Sequence, residues 1–164
     1  MEAAYSAKIF DLNYELIGVS GATIDCTKIM TKYINIISPK NVILYLGGND
    51  ADGQSNYNSE KAFLIYKNFL DVLNSIESIE KIYIVGISYG LTSRRNRNYV
   101  DSLNNKLKNI QNNTKVFFVD SFDVLDFSNK SFQELSYDGE HLNYNGYEKW
   151  FDYLGANIKD FKLN

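Results

Sequence analysis

The stretch Asn41-Val42-Ile43-Leu44-Tyr45-Leu46-Gly47-Gly48-Asn49-Asp50 joins two signals: an unbroken apolar run, then two glycines followed by an amide and a carboxylate. A run with no polar alternation predicts a strand, Asn41 to Leu46, covered on both faces. The glycines end it abruptly. Two further runs of the same kind are Lys81 to Ile87 and Lys115 to Asp120. Between and after them the apolar residues repeat at helical spacing. Ala62, Tyr66, Phe69, Leu73 and Ile76 form one stripe, Val100, Leu103, Leu107 and Ile110 a second, and Tyr147, Trp150, Leu154 and Ile158 a third. Strands that alternate with helices over crossovers of this length predict a parallel sheet with helices on both faces.

Upstream of Asn41 the pattern continues. Tyr14 to Val19 reads as a short strand that runs into Gly18-Val19-Ser20-Gly21, and Cys26, Met30, Tyr33 and Ile37 mark one face of a helix closed by Pro39. Met1 to Leu12, with Ala3, Ala4, Ala7 and Phe10 in register, reads as the end of a helix and not as a beginning. The expected architecture is a single α/β domain over residues 1–164, a doubly wound parallel sheet whose functional groups gather at the carboxyl ends of the strands.

Composition narrows the function classes. A chain of 164 residues with 45% hydrophobic residues and a net charge of -3 has room for one real core. The acidic balance argues against nucleic acid, and Arg94-Arg95-Asn96-Arg97 reads as a solvated loop. The single cysteine, Cys26, excludes an internal disulfide and a multi-cysteine zinc site, and its apolar neighbours predict a buried thiol. One histidine excludes a histidine-rich metal centre. No apolar run reaches the roughly 18 residues of a membrane span, and no signal peptide precedes the first periodic segment. The default expectation is a cytoplasmic protein.

That one histidine, His141, follows Asp138 by three residues in Tyr137-Asp138-Gly139-Glu140-His141-Leu142-Asn143. This spacing lets the carboxylate accept the imidazole Nδ1 proton and leaves Nε2 to act as a base. The plainer alternative is a surface histidine beside a helix start, with Asn143 as the cap. Gly18 to Gly21 and Gly47 to Asp50 are the other polar loops at strand ends. A glycine N–H and an asparagine amide are the parts of an oxyanion hole, although Gly47-Gly48 by itself is a tight exit from a strand and Asn49-Asp50 a turn.

With these three loops in order, the chain resembles the SGNH hydrolases, also called GDSL lipases or esterases. Gly18 in Gly18-Val19-Ser20-Gly21-Ala22-Thr23 resembles the family's second block, Gly47-Gly48-Asn49-Asp50 matches the third, and Asp138-Gly139-Glu140-His141 matches the fifth. The likeness runs from Ile17 to about Trp150. It implies a flavodoxin-like three-layer α/β/α sandwich with strand order 2-1-3-4-5. It also implies that His141 is the base, that Asp138 orients it, and that the Gly18 N–H and the Asn49 amide hold the oxyanion. The family's first block, Gly-Asp-Ser, carries the nucleophile, and that tripeptide occurs nowhere in the sequence. In the family order the first strand lies between those expected at Tyr14–Val19 and Asn41–Leu46. The expectation is therefore a chain truncated at its N-terminus, lacking its first strand, with Met1 inside the first helix of a longer parent. The alternative is a degenerate member in which the two strands pair directly.

The activity implied is hydrolysis of a short acyl ester of acetyl type on a small molecule or carbohydrate, with no metal or organic cofactor, rising through neutral pH as a histidine base requires. Tyr89, Tyr99, Tyr137 and Tyr144, if exposed, would suit stacking on a sugar. Without its serine the polypeptide is expected to be inactive as written, so the second function class is a module that binds an acylated ligand without turnover. A third reading takes Gly86-Ile87-Ser88-Tyr89-Gly90 as a nucleophile elbow, with Asp120 or Asp123 as the acid. That motif needs a helix directly after its serine, whereas Leu91-Thr92-Ser93-Arg94-Arg95 reads as loop. Ser88 is accordingly expected to be structural. Ser20 neighbours the oxyanion glycine, Cys26 has no histidine near it, and Asp50 and Asp52 are expected to cap the next element.

Overall fold

The computed structural model describes residues 17–89, 95–121, 134–138 and 141–161. The chain divides into two compact units. One comprises Gly21–Ser88 and Arg94–Ser121, the other Met1–Ser20, Tyr89–Ser93 and Phe122–Asn164.

The first unit holds the sheet. A 3-10 turn, Ile24–Cys26, leads into α1 (Thr27–Ile37), followed by β1 (Asn41–Leu44), a single-turn α2 (Gly48–Ala51), α3 (Ser59–Ser75), β2 (Lys81–Val85), α4 (Arg97–Asn109) and β3 (Val116–Val119). The strands pair in the order β1-β2-β3, all parallel, with Val42 opposite Ile82 and Ile84 opposite Phe118. Each parallel step needs a crossover, and α3 and α4 supply the two. The fold is therefore α/β, a parallel three-stranded sheet flanked by helices, as the apolar runs predict.

Central position explains the composition of β2. Ile82, Tyr83, Ile84 and Val85 are all buried, so no residue in that run is free to be polar. The helix α3 buries Ala62, Tyr66, Phe69, Leu70 and Leu73, and α4 buries Tyr99, Val100, Leu103 and Leu107. Both stripes match the expected ones, shifted by a residue at the ends. Each of these helices starts from an asparagine whose Oδ1 accepts the backbone N–H three residues on: Asn58 from Lys61 at 2.9 Å, Asn96 from Tyr99 at 3.1 Å. At its other end α1 stops in Ser38, whose φ of 51° is left-handed, and Pro39 prevents any continuation.

Two expectations need correction. The helix α1 buries Met30 and Ile34, together with Cys26 just before it, whereas Tyr33 is 52% and Ile37 39% exposed. Ile29, Tyr33, Ile36 and Ile37 form a second apolar stripe on the solvent side, and with apolar residues on both faces the period alone could not select the buried one. Of the strand expected at Tyr14–Val19, Ile17 to Val19 carry no strand, and the rest of it lies outside the described residues, as does the helix expected at Met1–Leu12. Among the described residues no helix is long and apolar enough to cross a membrane.

Beyond β2 the ladder gives way to a side chain. The Ile87 N–H donates to Asn104 Oδ1 and its C=O accepts from Asn104 Nδ2, both at 2.9 Å, so one amide replaces a neighbouring strand. At the start of β3, Asn112 Oδ1 accepts the N–H groups of Thr114, Lys115 and Val116.

The second unit holds α5 (Tyr144–Asn157), which buries Phe151 and Leu154 and ends against Ile158 and Phe161. Phe151 stacks on Phe161 and lies beside Tyr147 and Trp150. The expected stripe missed Phe151 and took in Tyr147 and Trp150, which are only half-buried.

Two stability measurements test this account. Leu73→Ala should cost about 2–5 kcal/mol in urea unfolding, while Leu64→Ala on the exposed side of the same helix should stay within about 0.5 kcal/mol. Asn104→Ala should cost about 1–3 kcal/mol, because it strands two backbone groups at the buried Ile87.

Candidate functional site

In the second unit, the residues before α5 build a tied loop around His141. Ser136 and Leu142 form an antiparallel bridge, the Tyr137 N–H donates to the His141 carbonyl at 3.0 Å, and Ser136 Oγ donates to the same carbonyl at 2.8 Å. Asn143 locks the far side. Its Oδ1 accepts the Gly146 N–H and so caps α5, its Nδ2 donates to the Glu134 carbonyl at 2.7 Å, and its own N–H donates to the Leu135 carbonyl. Gly146 permits this contact, since a Cβ there would run into the Leu135 carbonyl oxygen.

Asp138 holds His141 at two points. One carboxylate oxygen accepts the His141 backbone N–H at 2.8 Å and the other lies 2.7 Å from Nδ1. In the tautomer whose Nδ1–H donates to the carboxylate, the lone pair sits on Nε2, the arrangement a general base requires. Both side chains are about half exposed, at 54% and 52%. The expected pairing is thus formed, and so is the plainer expectation that Asn143 caps the helix that follows. Gly139 and Glu140 lie outside the described residues. Gly18 belongs to the same unit and is exposed, in a segment with no regular structure.

Asn49 belongs to the first unit and sits on α2, where a plain loop was expected. Gly47 makes the turn into that helix. Its φ is 104°, and a Cβ would come within 2.8 Å of Ile87 Cδ1, so both backbone and space require glycine. Asn49 Nδ2 donates to the Ala22 carbonyl at 2.9 Å, which uses one of its two amide protons. Next to it, Asp50 is 3% exposed, and its Oδ2 accepts the Ile24 N–H at 2.9 Å. Sequence reasoning treated Asp50 as a turn residue, and its length-spanning partner, 26 positions upstream, left no local signal.

Arg95 corrects a second expectation. The Arg94–Arg97 cluster was expected to be solvated, but the Arg95 side chain is 15% exposed, with Nε 3.5 Å from Asp52 Oδ1. Its Nη1 donates to the Ser88 carbonyl at 2.8 Å and to Ser88 Oγ at 3.3 Å, and the guanidinium lies over the Cα of Gly48. The Asn96 N–H donates to the Ala51 carbonyl, so the chain after the cluster grips α2 as well. Arg94 is outside the described residues.

Ser88 is 3% exposed and lies within 3.1 Å of the Tyr45 hydroxyl as well as bonding Arg95. A nucleophile elbow would expose its hydroxyl at the start of a helix, whereas α4 begins only at Arg97. Of the two acids proposed for that elbow, Asp120 pairs with Lys108 at 3.1 Å and Asp123 lies outside the described residues. Burial, reinforced by the charge of Asp50, pushes the Cys26 thiol up, away from the thiolate that a cysteine nucleophile needs. Of the tyrosines expected at the surface, Tyr137 and Tyr144 are exposed and Tyr89 is half-buried, but Tyr99 is buried in α4.

A search among curated proteins finds no match to the chain. The family model described as the GDSL-like Lipase/Acylhydrolase family matches residues 2–149, a span that contains Gly18, Asn49, Asp138 and His141. With nine-tenths of its length covered, and with the parallel sheet in place, the chain belongs to the GDSL-like lipase/acylhydrolase family.

Proposed function

We propose that this chain is an esterase of short acyl groups, with His141 as general base and Asp138 as the group that holds its tautomer. The observation that carries the reading is the double grip of one carboxylate on His141, 2.8 Å to its backbone N–H and 2.7 Å to Nδ1. A base fixed at both backbone and ring loses little entropy when it takes a proton from an attacking hydroxyl. The Asn49 amide, with one proton spent on Ala22, has a second without a partner among the described residues, and this proton together with the Gly18 N–H is assigned to the oxyanion. The substrate class is an acetyl-type ester on a sugar. Tyr137, 77% exposed, and Tyr144 stand beside the His141 loop in sequence and would offer ring faces to it.

The sequence has no Gly-Asp-Ser tripeptide, and no serine of the chain is assigned as the nucleophile. The expectation from the sequence is then an inactive chain, and the esterase reading departs from it in requiring that His141 activate another hydroxyl, water included. A second reading, a domain that binds an acylated sugar without turnover, is favoured by that same absence.

Hydrolysis of p-nitrophenyl acetate separates the two. The esterase reading expects turnover above the buffer rate that falls about 10²–10⁴-fold in His141→Ala. No turnover, with a rise in melting temperature on adding an acetylated oligosaccharide, would select the binding reading instead. Fluorophosphonate labelling with peptide mapping should leave Ser88 unmodified, because its hydroxyl is buried and bonded. Label on Ser88 that disappears in His141→Ala would move the nucleophile there.

A further inference from the structure

We propose that Asp50 is a positioning residue for the Asn49 amide, acting through the backbone of residues 22–24. The inference rests on the reading of Asn49 as an oxyanion donor.

Asn49 and Asp50 are consecutive on one short turn of helix, and both side chains reach the same neighbouring segment. Asn49 donates to the Ala22 carbonyl and Asp50 accepts from the Ile24 N–H, each at 2.9 Å. The two bonds have opposite polarity and are two residues apart, so together they fix the distance and the direction of the 22–24 segment relative to α2. Neither bond could do this alone. A primary amide held only at Ala22 would still swing about that contact, and its second proton would have no defined direction.

Burial makes the carboxylate the stiffer of the two anchors. Asp50 is 3% exposed and Ile24 is fully buried, so the Ile24 N–H has no water to turn to if the carboxylate leaves. The other carboxylate oxygen, Oδ1, is buried with no partner among the described residues. What the Ile24 N–H needs is an acceptor at this position, and Asp50 Oδ2 supplies it. The rear of α2 is closed independently by Arg95 over Gly48 and by the Asn96 N–H on Ala51, which leaves the 22–24 contact as the adjustable side.

Nuclear magnetic resonance of the uniformly 15N-labelled chain tests this without any need for turnover. In the native protein the two Asn49 side-chain protons should have well-separated shifts and the Ile24 amide should exchange slowly. Asp50→Asn keeps an acceptor for Ile24 and should preserve both signatures. Asp50→Ala should speed Ile24 exchange at least tenfold and bring the Asn49 pair to the shifts of a free amide, while the amides of β2 keep their protection. If Asp50→Ala does not fold, Asp50→Ser, whose hydroxyl is too short to reach Ile24, takes its place. An Asn49 pair that is unchanged in Asp50→Ala or Asp50→Ser, or already free-like in the native protein, overturns the proposal. So does a loss of protection shared equally by Ile24 and β2, the mark of a merely structural role. Failure of the esterase reading would appear in the p-nitrophenyl acetate assay and leave these spectra unaltered.

Discussion

Where a parallel strand buried on both faces runs out, its last backbone groups still need partners, and water is not there to provide them. In this protein side chains provide them. Asn104 pairs with both polar groups of Ile87, Asp50 takes the Ile24 N–H, Asn49 gives a proton to the Ala22 carbonyl, and Arg95 gives one to the Ser88 carbonyl. Each of these bonds lies beyond a strand or beside the turn that follows one. A site built at the carboxyl ends of the strands therefore starts with directed donors and acceptors already in place.

The same constraint governs what could be read from the sequence. The three described strands were legible as unbroken apolar runs and the helices α3 and α4 as a period, and both patterns are visible in one dimension. Asp138 and His141 were legible because they are three residues apart and need no tertiary information to meet. Arg95 was not. Its partners Asp52 and Ser88 stand in separate loops, and a run of three arginines and an asparagine looks the same whether it is solvated or threaded between them. The buried face of α1 was illegible for another reason. Met30 and Ile34 compete with Tyr33 and Ile37 for the same role, and only the packing of α1 against α3 decides between them.

Ser88 illustrates how a short motif separates from its chemistry. Gly-x-Ser-x-Gly describes a sharp turn from strand to helix that thrusts a hydroxyl outward. Here the strand is present, and the serine folds inward to Tyr45 and Arg95. The first glycine of the motif serves a different need: a Cβ on Gly86 would come within 2.9 Å of the Ser121 backbone nitrogen.

The cap at the start of α5 also bears on the chemical ageing of the protein. Asn145-Gly146 is the sequence most prone to deamidate, because the glycine nitrogen readily attacks the preceding side-chain carbonyl to close a succinimide ring. That nitrogen is occupied, since it donates to Asn143 Oδ1, and the helix holds Asn145 in a backbone conformation from which the ring cannot close. The bond that orders the His141 loop therefore also protects the neighbouring asparagine, and loss of local order there would be recorded as a slow, irreversible gain of negative charge.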